Sequence, residues 1–126
     1  MTHTIIYNLE TCFIESKIQG EMIFKEVKEI ITEFVAIVKE KGCRLLLSDY
    51  REATLKLSTM EIYQIPKMTL DAFTAQELNA RKLKRALIAA RDVGDYLFYE
   101  TVAANSGLPT KIFHDIDEGK IWLLEK

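Results

Sequence analysis

The hydrophobic pattern changes period several times along the chain, and each change marks an element. Thr4 to Asn8 is rich in β-branched residues and predicts a strand. Asn8, Leu9 and Glu10 make a short turn. Thr11 to Ile18 then alternates, with Cys12, Ile14, Ser16 and Ile18 on one side and Thr11, Phe13, Glu15 and Lys17 on the other. A period of two predicts a second strand, ended by Gly20, and the short link predicts an antiparallel pair. From Met22 to Lys41 the period becomes helical, with Phe24, Val27, Ile31, Phe34, Val35 and Val38 on one wide stripe. Lys39 and Lys41 suit the negative end of that helix, and Gly42 is a left-handed stop.

Arg44 to Ser48 holds the unbroken run Leu45-Leu46-Leu47 and predicts a central strand covered on both faces. Strand, helix, strand at this spacing predicts a right-handed crossover. Ser58-Thr59-Met60-Glu61 is a capping-box pattern, so a helix starts near Thr59, and Pro66 interrupts or kinks it. Lys67 to Arg81, with Met68, Leu70, Phe73 and Leu78, predicts a second short helix plus a loop. Leu83 to Ala90 is another buried-strand run. Asp92 or Asp95 caps a helix through Asn105, with Phe98, Tyr99, Val102 and Ala103 inward, Gly107 as its stop and Pro109 beyond. Thr110 to His114 is a short strand. Asp115 and Glu118 open a last helix that turns Ile116, Gly119, Trp122 and Leu123 inward. The expected order is β-β-α-β-α-β-α-β-α: an α/β fold over residues 1–126, a mixed β-sheet with helices packed against it.

Composition adds bounds. The chain has 126 residues, about one domain, with 48% apolar and 29% charged residues. A core of that size needs neither metal nor disulfide. The net charge of −2 argues against a nucleic-acid partner. Cys12 and Cys43 lack C-x-x-C spacing and read as reduced thiols. The start, Met1 to Glu10, lacks the charged region and apolar run of a signal peptide. No apolar stretch approaches the roughly 20 residues of a transmembrane segment, so the expected location is cytoplasmic.

Ligands of open α/β sheets collect at the carboxyl ends of parallel strands. Here that edge carries Asp49, Tyr50 and Arg51, then Arg91 and Asp92, then His114 and Asp115, beside helix starts near Ser58, Asp95 and Asp115. Helix starts favour anions, so Asp49, Tyr50, Arg51, Ser58, Thr59, Arg91 and His114 form a candidate ligand or anion-binding rim. The aspartates and Ser58 are also the residue types that cap helices and close turns. Arg81, Lys82, Lys84 and Arg85 form a basic run that reads as a solvated strand start, or as an attraction for an acidic partner or lipid headgroups. Leu57 to Phe73 is more apolar than one short helix needs. Met60, Tyr63, Met68 and Phe73 are its candidate surface for a protein partner, a homodimer contact or an apolar ligand.

No G-x-S-x-G elbow, G-x-G-x-x-G or P-loop pattern occurs, and two histidines with two distant cysteines make no zinc set. The expectation is a protein with no catalytic residues, no cofactor and no metal.

Several phrases in order, Leu45-Leu46-Leu47-Ser48-Asp49-Tyr50-Arg51-Glu52-Ala53, Glu61 to Lys67, Lys84-Arg85-Ala86-Leu87-Ile88, Phe98 to Gly107 and Ile112-Phe113-His114-Asp115 with Trp122-Leu123, resemble the SpoIIAA-like family, the STAS/Sec14-like domain proteins. The resemblance covers nearly the whole chain and implies a mixed sheet with helices against it. It implies no settled biochemical role. The anti-sigma-factor antagonists related to this family are switched by phosphorylation of a serine in a D-S-S-G-type loop. This chain lacks that loop, and Ser58-Thr59 lies at the comparable place. Three functions are therefore expected in turn: a binding or regulatory module acting through protein contacts, a carrier or sensor of a small apolar or lipid-like ligand, and a phosphorylation-switched antagonist.

Overall fold

The computed structural model of the chain describes residues 2–90 and 94–125. Strand β1 (Thr2–Asn8) and strand β2 (Phe13–Met22) form an antiparallel hairpin in which Asn8 faces Phe13. The Asn8 side-chain oxygen accepts the Glu10 N–H at 2.9 Å and the Thr11 N–H at 3.3 Å, an Asx turn that reverses the chain. Cys12 belongs to this turn, at φ 62°, and not to a strand. Past Gly20, β2 continues to Met22.

Helix α1 (Phe24–Lys41) buries Val27, Ile30, Ile31, Phe34, Val35 and Val38, the stripe its spacing dictates. Gly42, at φ 64°, stops it by donating its N–H to the Val38 carbonyl at 2.8 Å. Strand β3 (Leu45–Leu55), helix α2 (Thr59–Ala75), a 3-10 turn at Ala80–Lys82, strand β4 (Lys84–Ile88), helix α3 (Gly94–Asn105), strand β5 (Thr110–Phe113) and helix α4 (Ile116–Leu124) complete the chain.

The sheet order is β1-β2-β3-β4-β5, with β2 to β5 mutually parallel. Every crossover steps to the next strand in the same direction. Constant right-handedness therefore puts α1, α2 and α3 on one face, where their side chains share a core with Ile14, Ile18, Leu46 and Leu87. Helix α4 covers part of the other face, against Phe13, Leu47, Ala86 and Ile88. This is an α/β fold with a mixed sheet. At the β5 edge the Glu100 carboxylate of α3 accepts the Ile112 N–H at 2.6 Å, so one open edge donor is satisfied.

Three expectations need correction. Strand β3 does not end at Ser48 but runs to Leu55. Tyr50 and Arg51 together oppose Ile18, because Lys17 pairs with Asp49 and Gln19 with Glu52. This bulge lets the strand absorb a polar stretch and resume pairing with Gly20–Met22. Pro66 does not divide its segment: α2 is continuous from Thr59 to Ala75. The lost N–H costs helix stability, but Pro66 is buried and packs with the core side of α2. Asp95 lies inside the first turn of α3 rather than before it, and Asp92 lies outside the described residues.

Candidate functional site

The predicted rim is only partly one place. The register sets Asp49 beside Ile88 and Ile88 beside Phe113, so β4 and β5 end level with Asp49, while β3 runs on past them. His114 follows there, exposed, and its Nδ1 donates to the Ala89 carbonyl at 3.1 Å. Arg51 grips Asp49 through Nε at 3.0 Å and Nη2 at 2.9 Å. Partial burial works to raise the Asp49 carboxyl, but the hydrogen bonds and charge of Arg51 outweigh it and hold it below the usual carboxylate range. Ser58 and Thr59 are exposed at the start of α2, where β3 has already run on to Leu55. Ser58 Oγ accepts the Glu61 N–H at 3.1 Å, and the Ser58 N–H donates to Glu61 Oε1 at 2.8 Å. Asp115 likewise accepts the N–H of Asp117 at 2.7 Å. These helix starts are occupied by the chain's own acceptors. Arg91 lies outside the described residues.

Tyr50 leaves the rim altogether. Alternation along β3 turns it, with Leu46 and Ser48, toward the helices, where it is 6% exposed. There the sheet, α1, α2 and α3 line a partly open cavity of about 80 Å3. Its walls are apolar side chains such as Val27, Phe34, Ile62, Phe73 and Leu87, and among the described residues Arg85 is the single charged one on them. A wider groove of about 600 Å3 lies between the outer sides of α1 and α2. It is open to solvent, and Lys39 Nζ there donates to Gln76 Oε1 at 3.0 Å.

Arg85 is half-buried as a residue, and its guanidinium is the buried end. Nε donates to Ser48 Oγ at 3.0 Å, Nη1 to Tyr99 Oη at 3.2 Å and Nη2 to Tyr50 Oη at 3.3 Å. The rings of Phe34, Tyr50 and Tyr99 lie 5.6, 5.7 and 6.0 Å from its central carbon, within cation–π range. Among the described residues no carboxylate pairs with it. Burial opposes its charge, but the oxygens of Tyr99 and Tyr50 offset this and the net shift is upward, so the guanidinium stays charged. Burial pushes the Tyr50 and Tyr96 phenols up, so both remain neutral hydroxyls. The Tyr96 ring meets the Tyr50 ring edge-on at 6.0 Å, and its buried hydroxyl has no partner among the described residues.

The basic run is thus not one patch. Arg81 and Lys82 are exposed, and Lys84 turns to the other face. There its ammonium donates to the Trp122 carbonyl and, at 3.0 Å, to the Glu125 carbonyl, closing the end of α4. Arg85 enters the core. Of the candidate partner surface, Phe73 is 2% exposed and lines the cavity, and Met68 packs half-buried. Met60 and Tyr63 are exposed at 64% and 61%.

Sequence reasoning placed Arg85 at the surface because charge is usually solvated. Parity held a signal: Arg85 shares its face with Leu87 in a strand expected to be covered on both sides. Among the described residues no helix is long and apolar enough to cross a membrane, and no group of histidine, cysteine or acidic residues could hold a metal ion. Cys43 Sγ donates to the Cys12 carbonyl at 3.2 Å, so the two free cysteines end beside one another. No protein-family model matches the chain, and no curated protein matches it.

Proposed function

We propose that this chain is a binding module of the SpoIIAA-like kind, without catalytic chemistry, that takes a small and mainly apolar molecule between its sheet and helices α1 to α3. The observation carrying this reading is the cavity between sheet and helices, which has the apolar walls and few convergent polar groups of a small-molecule site at a volume below the roughly 300 Å3 of drug-sized ones. Its volume of about 80 Å3 narrows the ligand. One water-sized sphere takes roughly 10–15 Å3, so the space suits about six to eight non-hydrogen atoms and excludes a long lipid tail. The test is a titration with 1-hexanol followed by methyl NMR. Val27, Ile62 and Leu87 should shift together and saturate. Shifts confined to surface methyls would contradict the reading.

A second reading, contact with a protein or a second copy, is favoured by the exposure of Met60 and Tyr63 one turn apart on α2. Solution mass measured for the chain and for Tyr63→Glu tests it: a lower mass in the variant supports the contact, and the same monomer mass in both removes a homodimer.

A further inference from the structure

Arg85 presents five N–H donors. Three are engaged, by Ser48, Tyr99 and Tyr50, which leaves two of the five. Tyr50 and Tyr99 accept in those bonds, and among the described residues their own O–H groups donate to nothing. Tyr96, 9% exposed, adds on the same wall a hydroxyl that has no partner among the described residues. The unused capacity is therefore mainly donor, around a full positive charge, in apolar surroundings. A buried charge lacking a counter-charge costs several kcal/mol, and the aromatic faces around Arg85 return only part of that.

From this arrangement we infer that the ligand carries one carboxylate, held by Arg85 with the hydroxyls of Tyr50, Tyr96 and Tyr99, on a short apolar tail of about three to five carbons. The inference rests on the small-molecule reading above and specifies its chemistry. A carboxylate is acceptor-only, with about four lone-pair sites, and the planar guanidinium fork matches it in two-point contact. A phenol row adds donors without adding charge. Among the described residues the wall carries no second cation, so a dicarboxylate finds one partner too few there. A neutral alcohol or amide could fill the space but would leave the charge uncompensated.

Hexanoate, hexanamide and 1-hexanol are titrated by calorimetry into the whole chain and into the variants Arg85→Met and Tyr96→Phe, with butanoate, octanoate and inorganic phosphate as further probes. Hexanoate should bind at least about tenfold more tightly than hexanamide, the worth of a charge-assisted hydrogen bond. Arg85→Met should abolish that preference. Tyr96→Phe, which keeps the ring and hence the packing, should weaken hexanoate by about threefold or more and hexanamide by less. Equal binding of hexanoate, hexanamide and hexanol would overturn the carboxylate inference while the apolar cavity reading stands. Inorganic phosphate binding as tightly as hexanoate would overturn the tail. No binding of any probe at millimolar concentration would overturn both readings together.

Discussion

The two faces of the sheet are packed to different standards. Under α4 there is no slack: a carbon added to Gly119 would lie 2.7 Å from Ile88 Cδ1, 3.3 Å from Ala86 Cβ and 3.6 Å from a Phe113 ring carbon. Under α1 to α3 the same sheet leaves about 80 Å3 and places a guanidinium beside it. At about 24 cal/mol per Å3 a closed cavity of that volume would cost about 2 kcal/mol, before the buried charge is counted. Domains are stable by only about 5–15 kcal/mol in total. A chain that fits one face so closely has no packing reason to leave the other loose and charged. Space and charge coincide on one face, and that coincidence is the argument for a ligand.

Substitutions can break or sharpen this contrast. The largest effect belongs to the tight face. Gly119→Val should lose about 3 kcal/mol in urea unfolding, since the side chain must displace Ile88 and Ala86. A loss under about 1 kcal/mol would mean that α4 is free to shift and that the two faces are alike. On the loose face, Tyr96→Phe removes a buried hydroxyl that has no partner and should raise stability by about 1 kcal/mol in the same assay. A comparable loss would show that the hydroxyl is satisfied within the fold. Val27→Ile adds one carbon on the cavity wall and should be neutral or gain up to about 0.8 kcal/mol. A clear loss would mean that the wall is already full.

The smallest effect lies on the solvent side of β3. Asp49 has a folded pKa below its unfolded value, so the unfolded chain takes up the proton first as pH falls. The stabilisation is present above the unfolded carboxylate value of about 4 and disappears as pH drops through the folded value. Asp49→Asn should therefore cost about 0.5 kcal/mol at neutral pH and nothing in strong acid. A cost that persists at acid pH would assign the effect to packing, not to the pair with Arg51.

Much of the scaffold was legible in the residues. The stripe of α1, the leucine run of β3, the capping box at Ser58 and the stop at Gly42 each act through local physics, and each is found where its signal stands. Non-local effects hid the rest. Asp49, Arg51 and Glu52 look like a strand end, yet they lie on the sheet face that α4 leaves to solvent, so polarity and pairing coexist there. Pro66 looks like a break, yet tertiary burial holds its helix together. The site divided in the same way. Tyr50 was singled out from the residues, but for an exposed rim rather than an interior wall. Arg85 stood in a run of four cations, and only the alternation of β4 separates the one that turns inward.

Arg85 serves either the fold or the ligand. The direct measurement is urea unfolding of the chain and of Arg85→Met, each with and without saturating hexanoate. If the charge is kept for a ligand, Arg85→Met without hexanoate is at least as stable as the parent, because an apolar side chain of similar length fills the place of an uncompensated charge. Hexanoate then stabilises the parent and leaves the variant unmoved. A variant that loses about 3 kcal/mol or more without ligand, and gains from hexanoate as much as the parent does, would contradict the account.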